Sequence, residues 1–227
     1  MRHRAIAAGT LFVLTAWWAA APSWVGLPGN PSALAQSAFG EEPEDADALR
    51  LAATLIREIT AIPEKGMPPA LLRNAHGIAI IPGVIKVGLV LGGRYGKGVL
   101  LVRNPAGGWE EPKEITLTGG SLGWQVGVQS TDVILVFKSA KSVEGFASGK
   151  ITLGADASVA AGPVGRHAEA ATDVQLKSEV YSYSRNRGLF VGVSLEGSGL
   201  QSGKALRAPN AARQLQEAIE RAAPQKP

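Results

Sequence analysis

The chain has 227 residues, including 28 Gly, 14 Pro and no Cys, with 45% hydrophobic residues and a formal net charge of +4. Glycine at about 12% (28 of 227) exceeds the roughly 7% of average proteins; it has no three-residue period, which excludes collagen, and the hydrophobic content excludes a disordered chain. The missing cysteine excludes disulfides, thiolate nucleophiles, iron–sulfur clusters, Cys-based zinc sites and a cysteine-anchored lipoprotein.

Residues 1–35 read as an export signal. Arg2, His3 and Arg4 precede an uncharged apolar run from Ala5 to Ala21, and Ala33-Leu34-Ala35 supplies a small-x-small cleavage site before Gln36. The alternative is an uncleaved anchor, because Pro22 to Ala35 is long for the segment before a cleavage site. Removing 35 of the 227 residues leaves 192, enough for one domain with a core. Arg2 and Arg4 leave with the signal and no acidic residue does, so the net charge falls from +4 to +2. The expected location is the periplasm or the secreted fraction after cleavage near Ala35.

An acidic run, Glu41 to Asp47, opens a helical pattern through Ala61, with Leu49, Ala52, Ile56 and Ile59 at three- and four-residue spacing. Acidic residues in a first turn suit the helix dipole. Pro68-Pro69 starts a short helix through Leu71, Leu72 and Ala75. A β region follows, in which Gly77 to Gly203 holds 23 of the 28 glycines. Short apolar runs, Gly77–Pro82 and Val87–Leu91, are bounded by Gly or Pro, and Gly98–Arg103 reads as another strand. After the turn cluster Asn104–Gly108, Glu114–Thr118 and Trp124–Gln129 alternate as half-buried strands. Asp132–Phe137, Lys150–Val159, Glu179–Ser184 and Gly188–Leu195 complete the strands, with one helical turn expected within Ser142–Ala147. Asn210 reads as the cap of a final helix to about Ala222. Strands and turn signals spaced this closely, without long intervening helices, predict an α+β protein. Its core is a glycine-rich, strongly coiled antiparallel sheet or barrel-like structure flanked by N- and C-terminal helices.

Several blocks in order resemble the SYLF domain family, also called the Ysc84-type actin-binding domain. They are Gly77–Pro82 with Lys86–Leu89, Gly92–Gly96, Gly98–Arg103, Gly120–Gln125 with Gly127–Asp132, Gly154–Gly165, Tyr181–Phe190 and Ser194–Gly197, together covering roughly residues 65 to 200. The resemblance implies a lipid-binding module. Eukaryotic members bind phosphoinositides or actin filaments, and bacterial members are exported, stand-alone and described as lipid-binding. Gln201 to Pro227 departs from the family pattern. The organisation expected is a signal peptide over 1–35, an acidic linker over 36–43, a SYLF-like domain over 44–208 with helices in 44–75 and a β core in 77–200, and a C-terminal helix and tail over 209–227. Actin enters as a partner by resemblance alone, since an exported chain meets neither actin nor cytoplasmic phosphoinositides.

Gly119-Gly120-Ser121-Leu122-Gly123 matches the G-x-S-x-G nucleophile elbow, with Asp132 or Asp156 and then His167 in the chain order of a hydrolase triad. That motif needs a helix after the serine, whereas Trp124–Gln129 alternates as a strand, so the Gly pair reads as a hairpin turn. There is no Walker loop. His76 and His167 are too far apart in sequence to argue a metal site, and Asp132, Asp156 and Asp173 read as turn or capping residues. Neither a cofactor nor a metal is expected. The cations Lys86, Arg94, Lys97, Arg103, Arg166, Arg185 and Arg187 are the head-group candidates, because guanidinium offers planar bidentate geometry to phosphate; the alternative is a solvated rim. Trp109 and Trp124 are candidates for a lipid interface, and Tyr181 and Tyr183 share one strand face. A net charge of +2 without a basic run argues against nucleic acid. The leading function is a non-enzymatic module of the bacterial envelope that binds anionic phospholipid or a phosphoinositide-like head group. The alternatives are a structural or protein-interaction protein of the periplasm and, more distantly, a serine hydrolase using Ser121.

Overall fold

A computed structural model describes residues 43–61, 66–88, 91–122, 127–163, 177–186, 189–193 and 195–223. Helix α1 (Pro43–Thr60) carries Glu44 and Asp45 in its first turn and Arg57 in its last, which complements the helix dipole at both ends. Its stripe of Leu49, Ala52, Ala53, Ile56 and Ile59 is buried. Helix α2 (Pro69–Arg73) begins on a proline, whose fixed φ suits a first turn. Four long strands follow: β1 (Gly77–Gly88), β2 (Leu91–Val102), β3 (Lys113–Leu122) and β4 (Gly127–Phe137). Helix α3 (Ala140–Glu144) is capped by Ser139, whose Oγ accepts from the Ser142 N–H at 3.1 Å, and it continues into a 3₁₀ turn, Gly145–Ser148. Strands β5 (Lys150–Thr152), β6 (Val159–Ala161), β7 (Val180–Asn186), β8 (Leu189–Gly192) and β9 (Gly199–Ala205) lead to helix α4 (Pro209–Ala222).

The strands form one sheet in the order β5-β9-β3-β2-β1-β4-β7-β6, with β8 also on β7. Every pairing is antiparallel except β6 with β7, so the expected antiparallel sheet is in fact mixed. Strands β5 and β6 stand at opposite ends of that order, yet residues 153–158 alone connect them. Six residues span at most about 20 Å, so the two sheet edges must approach and the sheet curls into a half-barrel. A bridge between Leu153 and Ala157 lies within this short connection.

Period-two alternation sends successive side chains of one strand into different cores. Ile78, Ile80, Val99, Leu101, Ile134, Val136, Tyr181 and Tyr183 pack with α1, α2 and α4 on the convex face. Ala79, Ile81, Leu100, Val133, Leu135 and Phe137 pack inside the curl. Burial on both faces explains why these strands read as continuous apolar runs. The C-terminal segment is tied to α1 by Asp45, 3% exposed, whose carboxylate accepts from the Arg207 backbone N–H at 2.8 Å and pairs with Lys204 at 3.3 Å.

Strand β1 carries the first apolar run on to Val87 and Gly88 through a bulge at Gly83 (φ +59°) that shifts its register against both neighbours. Leu91, the end of the expected run Val87–Leu91, opens β2, and residues 89–90 lie outside the described residues. Positive φ favours glycine at the bulge. Opposite the bulge, a Cβ on Gly98 would lie 2.1 Å from the Ile80 carbonyl oxygen, so the strands approach more closely than any side chain permits. Gly119 and Gly120 do not form the expected turn: they pair with Arg94 and Gly93 inside β3. The expected strand Lys150–Val159 is split into β5 and β6 by a turn in which the Asp156 carboxylate accepts from the Thr152 N–H at 2.7 Å. Strand β9 was not anticipated. Asn210 lies inside the first turn of α4, because Pro209 already occupies an opening position after Ala208. Of Trp124–Gln129, residues 124–126 lie outside the described residues.

Candidate functional site

Beyond the Gly83 bulge, β1 and β2 continue past the cover of the helices, and the two faces of the pair take opposite character. Lys86 stands directly opposite Arg94, with Gln129 of β4 as its partner on the other side. These side chains line the concave face, around a cavity of about 260 Å³. Thr131 and Ser184 complete its polar lining, while Val84, Val133 and Leu195 supply apolar walls continuous with the inner core. Among the described residues no carboxylate lines this cavity.

The electrostatics of the pair are unfavourable as it stands. Like charges directly opposite on neighbouring strands destabilise each other. The Arg94 Nε is buried with no hydrogen-bond partner among the described residues, and an unsatisfied buried donor costs about 1–3 kcal/mol. Burial also lowers the Arg94 pKa from the ordinary arginine value, since desolvation disfavours the charged form. An oxyanion placed between Lys86 and Arg94 would relieve both penalties, because guanidinium and ammonium groups make short charge-assisted bonds to phosphate or carboxylate.

The convex side of the same strands carries Ile85, Val87 and Tyr95, which are 46%, 50% and 48% exposed. Ile85 stands opposite Tyr95, and Val87 opposite Gly93, so the three form one apolar patch backed by the cations. Val191 on β8, 50% exposed, pairs with Ser184 and therefore stands at the lip of the concave cavity.

The other candidate cations go elsewhere. Lys97 lies on the convex face and pairs with Glu114 at 3.2 Å; that hydrogen bond and charge raise its pKa. Arg103 is a clamp: its Nε donates to the Ala75 carbonyl at 2.8 Å, Nη2 to Arg73 at 3.3 Å and Nη1 to Gly107 at 2.7 Å. Its guanidinium stacks 4.3 Å from the centre of the Trp109 ring, and desolvation lowers its pKa. Arg185 joins Asp132 through Nε at 2.7 Å and Glu58 of α1 through Nη1, while Asp132 also accepts from the Gly83 N–H at 2.9 Å. This clip fastens α1 and the bulge to β7. Arg166 and Arg187 lie outside the described residues. Of the seven cations, the structure brings Lys86 and Arg94 together.

Ser121 lies within β3, in register with Gly92, rather than at a strand-to-helix elbow. Asp132 and Asp156 are engaged by the contacts given above, and His167 lies outside the described residues. His76 meets the sheet through its backbone, its N–H donating to Phe137 at 2.7 Å and its carbonyl accepting from Arg103. No group of three or more His, Asp or Glu that could hold a metal occurs among the described residues. Trp109 packs against the helix-side core, Tyr181 and Tyr183 share that core, and Trp124 lies outside the described residues. The Tyr183 hydroxyl donates to the Pro163 carbonyl at 3.0 Å, and burial raises its pKa well above the ordinary tyrosine value. Sequence reasoning missed Gln129, Thr131 and Ser184; counting back by two from Val133 along β4 would have placed the first two on the concave face.

Known proteins resemble this chain over part of its length. It is 38% identical over 157 residues to the SH3 domain-containing YSC84-like protein 1 of Xenopus laevis, covering 66% of this chain and 47% of that protein. It is 44% identical over 137 residues to Protein YSC84 of Saccharomyces cerevisiae, covering 59% and 29%. It is 41% identical over 137 residues to LAS seventeen-binding protein 3 of the same species, covering 59% and 30%. The chain thus spans less than half the length of these relatives. Residues 118–207 match the Ysc84 family model, described as Las17-binding protein actin regulator, so the later glycine-rich blocks, from Gly120 to Gly197, fall within a stretch similar to that family.

Proposed function

We propose that the chain is a non-enzymatic module that binds anionic phospholipid head groups at a membrane surface, exported by its N-terminal segment to act in the bacterial envelope. The observation that carries this reading is the opposed Lys86–Arg94 pair over a cavity that, among the described residues, has no carboxylate and leaves the buried Arg94 Nε without a partner. Each cation near an anionic surface contributes about 1 kcal/mol, and the bidentate geometry of arginine directs that attraction onto phosphate. The test is co-sedimentation of the full chain with vesicles of phosphatidylcholine alone and with added phosphatidylglycerol, across a salt series. A variant carrying Lys86→Gln and Arg94→Gln controls for the apolar N-terminal segment, which both proteins share. Binding should need the anionic lipid, weaken as salt rises and fall at least tenfold in the variant. Equal binding by both proteins sinks the reading.

The second reading is protein interaction. It is favoured by a cavity of about 580 Å³ beside the start of α4, between Glu111-Pro112 and Ala212, Arg213 and Gln216. On that reading Arg213→Glu removes partner binding and leaves vesicle binding unchanged.

A further inference from the structure

We infer that the free end of the β1–β2 pair is a two-sided membrane wedge, in which Ile85, Val87 and Tyr95 enter the boundary of the acyl layer while Lys86 and Arg94 hold lipid phosphates on the reverse face. The inference rests on the lipid reading above and adds the element that inserts, its orientation and the order of depth along it.

Three observations lead to it. The first is the strict alternation Ile85, Lys86, Val87 on β1 against Tyr95, Arg94, Gly93 on β2. Apolar residues occupy one face and cations the other, on a single layer of sheet. The second is the exposure of this face. The same face of the same strands is fully buried under helices at Ile78, Ile80, Val99 and Leu101, whereas Ile85, Val87 and Tyr95 are about half exposed. Large apolar side chains grouped on an exposed surface mark an interaction site more often than isolated ones do. The third is charge complementarity. Among the described residues neither Lys86 nor Arg94 has a carboxylate partner, and the cavity they line contains none. A partner that covers the apolar face must therefore also bring negative charge within reach of the other face. A phospholipid surface offers both at once, acyl chains beside a layer of phosphates.

The dimensions agree. A strand rises about 3.3 Å per residue, so Val87 lies some 7 Å beyond Ile85 and Tyr95 along the pair. That distance falls within the roughly 5–10 Å to which interfacial apolar faces are buried. Tyrosine suits the shallower level, where its ring meets hydrocarbon and its hydroxyl meets head groups. Lys86 and Arg94, at intermediate depth, can extend their aliphatic stems to the phosphates.

The absence of native cysteine allows an unambiguous test. Full-length single-cysteine variants Val87→Cys, Tyr95→Cys and Leu51→Cys are labelled with an environment-sensitive fluorophore and mixed with phosphatidylglycerol vesicles. The vesicles carry quenchers at defined acyl-chain positions. Leu51 is an exposed apolar residue on α1, 48% exposed, and serves as the control. The expected result is a blue shift and acyl-chain quenching at position 87, weaker quenching at 95 and no change at 51. As a second measure, Ile85→Ser with Val87→Ser should lower affinity for these vesicles about tenfold with unfolding unchanged. Vesicle-bound protein whose labels at 87 and 95 stay in water overturns the wedge and leaves the lipid reading standing. Failure to bind the vesicles at all overturns both. A blue shift that appears without lipid and grows with protein concentration shows a second copy covering the patch, which also overturns the wedge.

Discussion

On the β1–β2 pair, Ile78 stands opposite Leu101 and both are fully buried, whereas further along the same strands Ile85 stands opposite Tyr95 and both are about half exposed. On the convex face the chemistry of the two ends is similar, with large apolar side chains at Ile78, Ile80, Val99 and Leu101 at one end and at Ile85, Val87 and Tyr95 at the other. What differs is the cover on the convex face and the content of the concave one. At the first end α1, α2 and α4 close one side and the inner core fills the other. At the second end no described helix packs on the patch, and the inner core gives way to Lys86, Arg94 and a cavity. The bulge at Gly83 divides the two, and the Arg185–Asp132–Gly83 clip holds it in place. One end of the strand pair stabilises the fold, while the other carries an electrostatic cost that, on the proposed reading, an anionic ligand relieves.

Truncation should separate the ends most strongly. Leu100→Ala, at a position 1% exposed in the inner core, should destabilise by about 2–5 kcal/mol in denaturant unfolding. Ile85→Ala at the free end should change stability by less than about 0.5 kcal/mol. Similar losses at both positions would mean that the free end is part of the core. A smaller contrast comes from the glycines. Gly98→Ala drives a methyl group into the Ile80 carbonyl and should cost about 1–3 kcal/mol. Gly93→Ala on the free end meets nothing within 4 Å and should leave the midpoint unchanged or slightly raised.

The core end also has a pH signature. Burial raises the pKa of Tyr183, so the unfolded chain releases this proton near pH 10 while the folded chain keeps it. The unfolded state then binds fewer protons, and stability falls as pH rises above about 10. Tyr183→Phe loses its hydrogen bond to Pro163, worth about 1 kcal/mol at neutral pH, but should show a shallower alkaline decline. Parallel declines in the two proteins would place the alkaline loss elsewhere.

The core end was legible because burial on both faces leaves long apolar runs, as in Ile78–Ile81 and Val133–Phe137. Boundaries were lost where pairing overrides composition. Strand β9 has one fully buried apolar side chain, Leu200, and becomes a strand because it fits between β5 and β3. Gly119-Gly120 looks like a turn in isolation, yet it pairs with Gly93 and Arg94, and a Cβ on Gly119 would meet Ser198 Oγ at 2.8 Å. The site was half legible. Lys86 and Arg94 stood among seven candidate cations, but their opposition depends on the register set by the Gly83 bulge, which no local pattern encodes. Arg103 and Arg185 looked equally suited to phosphate until the structure placed their donors on carbonyls and carboxylates.

The most direct test of a ligand-relieved cost at the free end is Arg94→Gln, with unfolding midpoint and affinity for phosphatidylglycerol vesicles measured on the same preparation. Removing the cation opposite Lys86 should leave stability unchanged or raise it by up to about 1 kcal/mol, while vesicle affinity falls about five- to tenfold. A fall in stability with affinity intact would make Arg94 a structural residue and contradict the account.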